Sequence, residues 1–155
     1  MDNNTIIAIA ALVSAAIALG ALVHSAVTQR RTADENRKNN TINAFNSLQG
    51  NVLDKMVSIA EDDIAAIVEN KDDGEEVKEA YDDYRTLVAR CEHFAVGVNS
   101  GVYDIDLVND LGGKHLIYLY QKVLPVIDEA RAYDDTAYKE FEKMVTALYK
   151  LRGIE

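Results

Sequence analysis

The side chains that could take part in chemistry are concentrated in one stretch, CEHFAVGVNSGVYD, at residues 91–104. An enzyme built on it would need Glu92, His93 and Tyr103 to converge on one pocket with the more distant Arg131. A carboxylate or imidazole would then act as acid or base. The spacing of these four residues matches no known catalytic pattern, so we expect no enzymatic activity.

Metal and cofactor sites are not predicted either. The chain has no GxSxG, P-loop or HExxH pattern, and Cys91 is its single cysteine, which excludes an intramolecular disulfide and a cysteine-based metal framework. The histidines His24, His93 and His115 lie in separate predicted elements, and the repeated Glu-x-x-His pattern of di-iron bundles is absent. Neighbouring acidic residues on a helix point about 100° apart, so they are better suited to solvation and capping.

Several residues of the stretch favour structural roles. Gly97 lies inside a predicted helix, where glycine costs about 1 kcal/mol relative to alanine, and we expect it to admit a second helix. If Glu92 faces the bundle it needs a cationic partner, for which Arg131 is the candidate, and such a pair is more typical of structure than of catalysis. Tyr103 and Asp104 predict a packed corner, with Asp104 as a helix N-cap.

The net charge argues against nucleic acid as a partner. The whole chain carries a formal charge of −10, and residues 39–155 carry twelve basic and twenty-three acidic side chains, which gives −11. A domain of this sign is repelled by phosphate backbones and anionic headgroups. The acidity therefore indicates solubility, and no nucleic-acid interface is expected.

The N-terminal region contains a candidate membrane anchor. Thr5 to Val27 includes no Asp, Glu, Lys, Arg or Pro. As a helix rising about 1.5 Å per residue, this run is roughly 34 Å long, enough to cross a bilayer core of about 30 Å. A signal peptide would begin with basic residues and have a shorter apolar core, although a small-residue motif near Val23–Ser25 leaves secretion as the alternative.

Basic residues indicate the orientation of this segment. Arg30 and Arg31 follow the apolar run at once, and Arg37 and Lys38 lie close behind. The positive-inside rule places this flank in the cytoplasm. We therefore expect a single-pass protein of the inner (cytoplasmic) membrane, in contact with the lipid bilayer, with its N-terminus outside and its C-terminal domain cytoplasmic.

Small residues in the anchor are spaced for helix–helix contact. The predicted packing positions are Ala11, Ala15, Ala16 and Gly20, each four residues from another small residue. Small residues at this spacing allow two helices to approach closely in lipid. Alanine is also simply a good helix former, so self-association through this helix remains one of two interpretations.

The remainder of the chain predicts an all-α fold. Apolar residues recur every three or four positions, which is typical of amphipathic helices. We predict helices over 28–70, with a break near 39–40 or Gly50, and over 75–99, 105–111, 114–132 and 136–151. Pro125 should kink the fourth of these. The predicted organisation is a tail and transmembrane helix at 1–29, a basic juxtamembrane stalk at 30–40 and an acidic helical bundle at 41–155.

The combined pattern resembles a bacterial and prophage family known only as a domain of unknown function. The resemblance extends over roughly residues 5–150 and implies one N-terminal membrane helix, a basic flank and a small helical domain, with no catalytic residues to assign. The residues that carry it are Glu92, Phe94, Gly97, Gly101, Tyr103, Asp104, Pro125 and Arg131.

Two functions remain open from the sequence. The favoured one is a membrane-tethered interaction or scaffold module without catalytic activity, which docks a cytoplasmic protein partner or associates with its own copies. Tethering would raise the effective concentration of such a partner. The alternative, suggested by the prophage resemblance, is an oligomerising membrane effector in phage exclusion or defence.

Overall fold

The computed structural model describes residues 3–57 and 61–154, with the side chains of residues 14, 17–56 and 63–154. These residues form helices and no strand, which confirms the predicted all-α class. The helices are α1 (Asn3–Leu48), a π-helix (Gln49–Leu53), α2 (Asp54–Val57), α3 (Glu61–Glu69), α4 (Glu75–Asn99), α5 (Ile105–Lys122), α6 (Leu124–Arg131) and α7 (Lys139–Leu151).

The chain divides into two compact units, Met1–Asn36 and Arg37–Glu155. Within the part of the chain that the structure describes, no helix is long and apolar enough to cross a membrane. The side chains of Ala11, Ala15 and Ala16, predicted to mediate helix packing, lie outside the described residues. Gly20 is described: it is exposed, and a Cβ added there would have no neighbour within 4 Å.

The break predicted near Gly50 is a π-helical turn, whereas no break occurs at 39–40. The backbone N–H of Asp54 donates to the carbonyl of Gln49, five residues back, which widens the turn by one residue. Val52 and Leu53, two successive residues of this turn, are both buried. The widened turn therefore shifts the apolar face of the chain without ending its helical course.

The junction predicted at Gly112 is confirmed, whereas the one at Pro125 differs from the prediction. Residues 105–122, numbered together here as α5, are two helical segments that meet at a kink where Gly112 leaves the helical backbone angles (φ −176°, ψ 26°). Pro125 does not kink a helix interior, because α5 ends at Lys122 and Pro125 lies in the first turn of α6. A proline has no backbone N–H, and the first helical turn leaves such groups unbonded in any case.

The last helix begins three residues later than predicted. Instead of capping α7, Asp134 closes a turn by accepting hydrogen bonds from the backbone N–H and the hydroxyl of Thr136, at 2.9 and 2.7 Å. These hydrogen bonds hold the pKa of Asp134 below its usual range. Tyr138 precedes α7 in the left-handed backbone region, with φ at 58°.

The core lies where α4 and α5 pack against α7, with the π-helix, α3 and α6 completing it. Cys91 is buried in this core, and burial raises its pKa to about 12, so its thiol stays protonated and unreactive at neutral pH. The largest fully buried side chains are Phe141, Met56, Ile64, Leu116, Ile127, Met144 and Leu148.

The close packing of the end of α1 on α5 depends on the absence of a side chain at Gly112. A Cβ at Gly112 would collide with the ring of Phe45, whose Cε1 would lie 3.2 Å away. Phe45 is itself buried, so the ring has little room to move. We expect Gly112→Ala to lower the free energy of unfolding by about 1–3 kcal/mol, the usual cost of overpacking, as measured by urea denaturation of the full-length chain in a neutral detergent.

The matched control is Gly50→Ala in the π-helix, where an added Cβ meets open space. This change should leave stability equal or raise it by up to about 1 kcal/mol, the helix propensity difference. If the Gly112 variant were as stable as the Gly50 variant, the close packing of Phe45 on α5 would be contradicted.

Candidate functional site

Glu92, one of the residues that carry the family resemblance, holds the beginning of α7. Tyr138, at the N-cap position of that helix, makes no side-chain capping hydrogen bond. Instead the Glu92 carboxylate on α4 accepts hydrogen bonds from the backbone N–H groups of Glu140 and Phe141, at 3.1 and 2.6 Å. An anionic acceptor at a helix N-terminus satisfies otherwise unpaired donors and interacts favourably with the helix dipole. Glu92 therefore caps α7 from a different helix.

Asn99 strengthens the same junction from the end of α4. Its side-chain amide donates to the backbone carbonyl of Glu140 at 2.9 Å and to the Glu140 carboxylate at 2.6 Å. The first turn of α7 is thus held at two points, almost two helical turns apart on α4.

The pairing considered between Glu92 and Arg131 does not form. The Arg131 guanidinium lies 2.7 Å from the carboxylate of Glu142 and donates from Nε to the carbonyl of Ala137 at 3.0 Å. Arg131 is the last residue of α6, so it reaches across the loop that leads into α7. Glu92 needs no cationic partner, because two backbone N–H groups already donate hydrogen bonds to its carboxylate.

The corner between α4 and α5 is built around an aromatic stack. The Tyr103 ring stacks on the Phe94 ring, with the two planes inclined by 21° and the centroids 5.4 Å apart, and it covers Gly97. A Cβ at Gly97 would lie 2.5 Å from Tyr103 Cδ2, so this glycine admits a tyrosine ring and not, as predicted, a second helix. Gly101 has φ +77°, a conformation that favours glycine and turns the chain back toward α4.

Asp104 joins this corner to α1. As predicted, its carboxylate caps α5, accepting from the N–H groups of Asp106 and Leu107 at 3.1 and 3.2 Å. The same carboxylate pairs with Arg37 at 2.7 Å. Its backbone N–H donates to the hydroxyl of the buried Thr41 at 2.8 Å. Arg37, predicted as a membrane-flanking residue, is thus engaged within the second unit, whereas Arg30, Arg31 and Lys38 are exposed.

The four side chains that an enzyme would have used are divided between two places. Glu92 and Arg131 are bonded to α7 and the loop before it, whereas His93 and Tyr103 line a groove beside α4. No group of three or more His, Cys, Asp or Glu side chains that could hold a metal ion occurs among the described residues.

That groove, called here the α1/α4 groove, was not predicted. It has a volume of about 660 Å³ and lies between α4 and the end of α1 with its π-helix. Leu48, Val52 and Phe94 form its buried apolar part. Its polar residues are Ser47, Asn51, Arg90, His93 and Tyr103. The sequence feature that could have indicated this groove is the helical spacing of Ser47 with Asn51 and of Arg90 with His93, since each pair lies beside the apolar stripe of its helix.

A second surface, called here the tyrosine face, surrounds a depression of about 450 Å³ lined by Tyr81, Tyr133, Tyr138, Arg85, Lys71 and Glu129. The side chain of Tyr133 is 83% exposed. Lys71 forms an ion pair with Glu129 at 2.7 Å, which raises the lysine pKa, and the Arg85 guanidinium lies 5.8 Å from the centre of the Tyr81 ring. Among the other tyrosines, Tyr118 is exposed, while Tyr149, like Tyr138, is partly buried against the core.

The cap supplied by Glu92 leads to a stability prediction. Glu92→Ala removes the acceptor of two helix-terminal N–H groups, and we expect the free energy of unfolding to fall by about 1–3 kcal/mol. Glu79→Ala, on the exposed side of the same helix, is the control and should change stability by less than about 0.5 kcal/mol. Urea denaturation followed by near-ultraviolet circular dichroism measures both, and equal stability of the two variants would exclude the capping role.

The comparisons with known proteins confirm a domain of unknown function and do not bear on the bacterial and prophage origin or the membrane helix that the resemblance implies. A family model described as a domain of unknown function (DUF4760) matches residues 5–148. No curated protein and no solved structure matches the chain. Because the match extends over most of the 155 residues, the chain belongs to the family described as Domain of unknown function (DUF4760).

Proposed function

We propose that this protein is a membrane-tethered helical module without catalytic activity, which docks a partner protein at the cytoplasmic surface of the inner membrane. The tether is the uncharged run from Thr5 to Val27. Arg30 and Arg31 follow it on α1 with exposed side chains, where they are available to lipid phosphates.

The observation that carries the docking step is the tyrosine face. Tyrosine and arginine are enriched among the residues that dominate protein–protein binding, because they combine large apolar area with a polar end. Tyr133 presents nearly its whole side chain to solvent, beside the depression formed with Tyr81 and Tyr138. A partner that inserts an apolar side chain into this depression would bury the exposed ring of Tyr133 and the part of Tyr138 that the core leaves uncovered.

The backbone at Tyr138 supports the same surface. Tyr138 is the one non-glycine residue with positive φ among the described residues, and such a conformation costs of order 1 kcal/mol or more. The residue before it, Ala137, is held through its carbonyl by Arg131. Arg131, one of the residues that carry the family resemblance, thus fixes the segment before Tyr138. It therefore acts as a positioning residue for the tyrosine face.

Crosslinking of the full-length protein in native membranes, followed by capture and mass spectrometry, tests the proposal. The wild-type chain should recover a cytoplasmic protein, and Tyr133→Ala should reduce its recovery at least about tenfold, as expected of a dominant interface tyrosine. Tyr118→Ala is the control, since Tyr118 is also exposed but lies on α5 and does not line the depression. Equal losses in both variants, or recovery of no protein other than the chain itself, would contradict docking at the tyrosine face.

The second candidate is the oligomerising membrane effector, favoured by the open space at Gly20. A second helix could approach Gly20 closely, because nothing lies within 4 Å of the position its Cβ would take. Gly20→Leu should then abolish self-crosslinking and any phage-exclusion phenotype. Ala18→Leu, on the opposite side of the helix, should leave both intact. If Gly20→Leu changed neither, the effector function would be excluded.

A further inference from the structure

The α1/α4 groove differs in charge from the domain around it. Residues 39–155 carry a formal charge of −11, yet no carboxylate lines the groove among the described residues, and its charged lining residue is Arg90. A concave site that lacks acidic residues in an acidic domain is electrostatically suited to a negatively charged ligand.

Hydrogen-bond donors in the groove remain available. Arg90 and His93 lie three residues apart on one face of α4, and neither makes a side-chain hydrogen bond or ion pair with another described residue. The Tyr103 hydroxyl likewise has no hydrogen-bond partner among the described residues. The groove therefore offers a guanidinium, an imidazole and a phenol to a ligand.

Ser47 and Asn51 complete the donor set from the opposite wall. The Asn51 amide donates to the Ser47 carbonyl at 2.8 Å and to the Ser47 hydroxyl oxygen at 3.4 Å. Because that hydroxyl accepts from Asn51, its own proton is directed elsewhere and is free to donate. Asn51 lies in the π-helix, and π-helical turns occur frequently at functional sites.

The size and the apolar wall of the groove indicate that its ligand is an organic molecule and not an inorganic ion alone. A volume of about 660 Å³ is within the range that holds an organic molecule. Phe94 is fixed by its stack with Tyr103 and an edge contact with Phe45, so the apolar wall is rigid. A phosphate has the charge and the several acceptor oxygens that the donors require, and an attached apolar or aromatic body fits the wall.

We propose that the α1/α4 groove binds a small phosphate ester with an apolar or aromatic body, its phosphate held by Arg90, His93 and Ser47. This ligand site goes beyond the docking function and does not depend on the tyrosine face, which lies elsewhere on the domain. The two proposals therefore fail separately: loss of partner capture in Tyr133→Ala tests only docking, and ligand titration tests only the groove.

Titration of the full-length protein in neutral detergent with phenyl phosphate, followed by isothermal calorimetry, tests the site. Saturable binding is expected, with inorganic phosphate weaker and benzyl alcohol without measurable binding. Arg90→Gln should weaken phenyl phosphate about 10- to 100-fold, the loss expected of a hydrogen bond to a charged group. Arg85→Gln removes the same charge from the same helix on the tyrosine face and should leave the affinity within about twofold.

A second readout uses the wild-type chain alone, so it holds even if a variant fails to fold. In nuclear magnetic resonance spectra, phenyl phosphate should shift the imidazole signals of His93 and leave those of His115, which lies outside the groove, unchanged. The proposal is overturned if no saturable binding occurs, if both arginine variants lose affinity equally, or if benzyl alcohol binds as tightly. It is also overturned if phosphatidic acid in the micelles binds while phenyl phosphate does not, since the site would then recognise a lipid headgroup.

Discussion

The carboxylate of Glu92 on α4 supplies the N-terminal cap that α7 lacks. Unpaired N–H groups at the start of a partly buried helix are costly, and α7 contributes buried side chains to the centre of the core, among them Phe141 and Met144. The position of the last helix, and with it much of the core, therefore depends on one charged group projecting from α4. Asn99 and Arg131 secure the same region from either side.

A comparable arrangement holds the corner that follows the C-terminal end of α4. The stack of Tyr103 on Phe94 and the bonds of Asp104 to α5, Arg37 and Thr41 join three helices at one corner. Most residues that carry the family resemblance are thus occupied with the junctions between helices. Two surfaces adjoin these junctions, the tyrosine face and the α1/α4 groove. Arg131 orders the segment before Tyr138, and the Tyr103 stack forms one wall of the groove.

Local features of the chain were predictable because they depend on neighbouring residues. The bounds of α4 and the cap at Asp104 follow from helix periodicity and capping preferences. The partner of Glu92 was not predictable, because it is a backbone end forty-eight residues away and a charged side chain suggests a charged partner first. The same limit applies to Gly97, whose close neighbour turned out to be a ring from the following loop.

The backbone amides at the beginning of α7 report most directly on the cap that Glu92 supplies. Amide hydrogen exchange of the full-length protein in neutral detergent would report on the N–H groups of Glu140 and Phe141, which in an uncapped first turn exchange rapidly. We expect the Phe141 amide to exchange nearly as slowly as that of Leu148 in the core, and much more slowly than that of Lys139. Exchange of Phe141 as fast as that of Lys139 would show that Glu92 does not hold α7, and the central constraint would be contradicted.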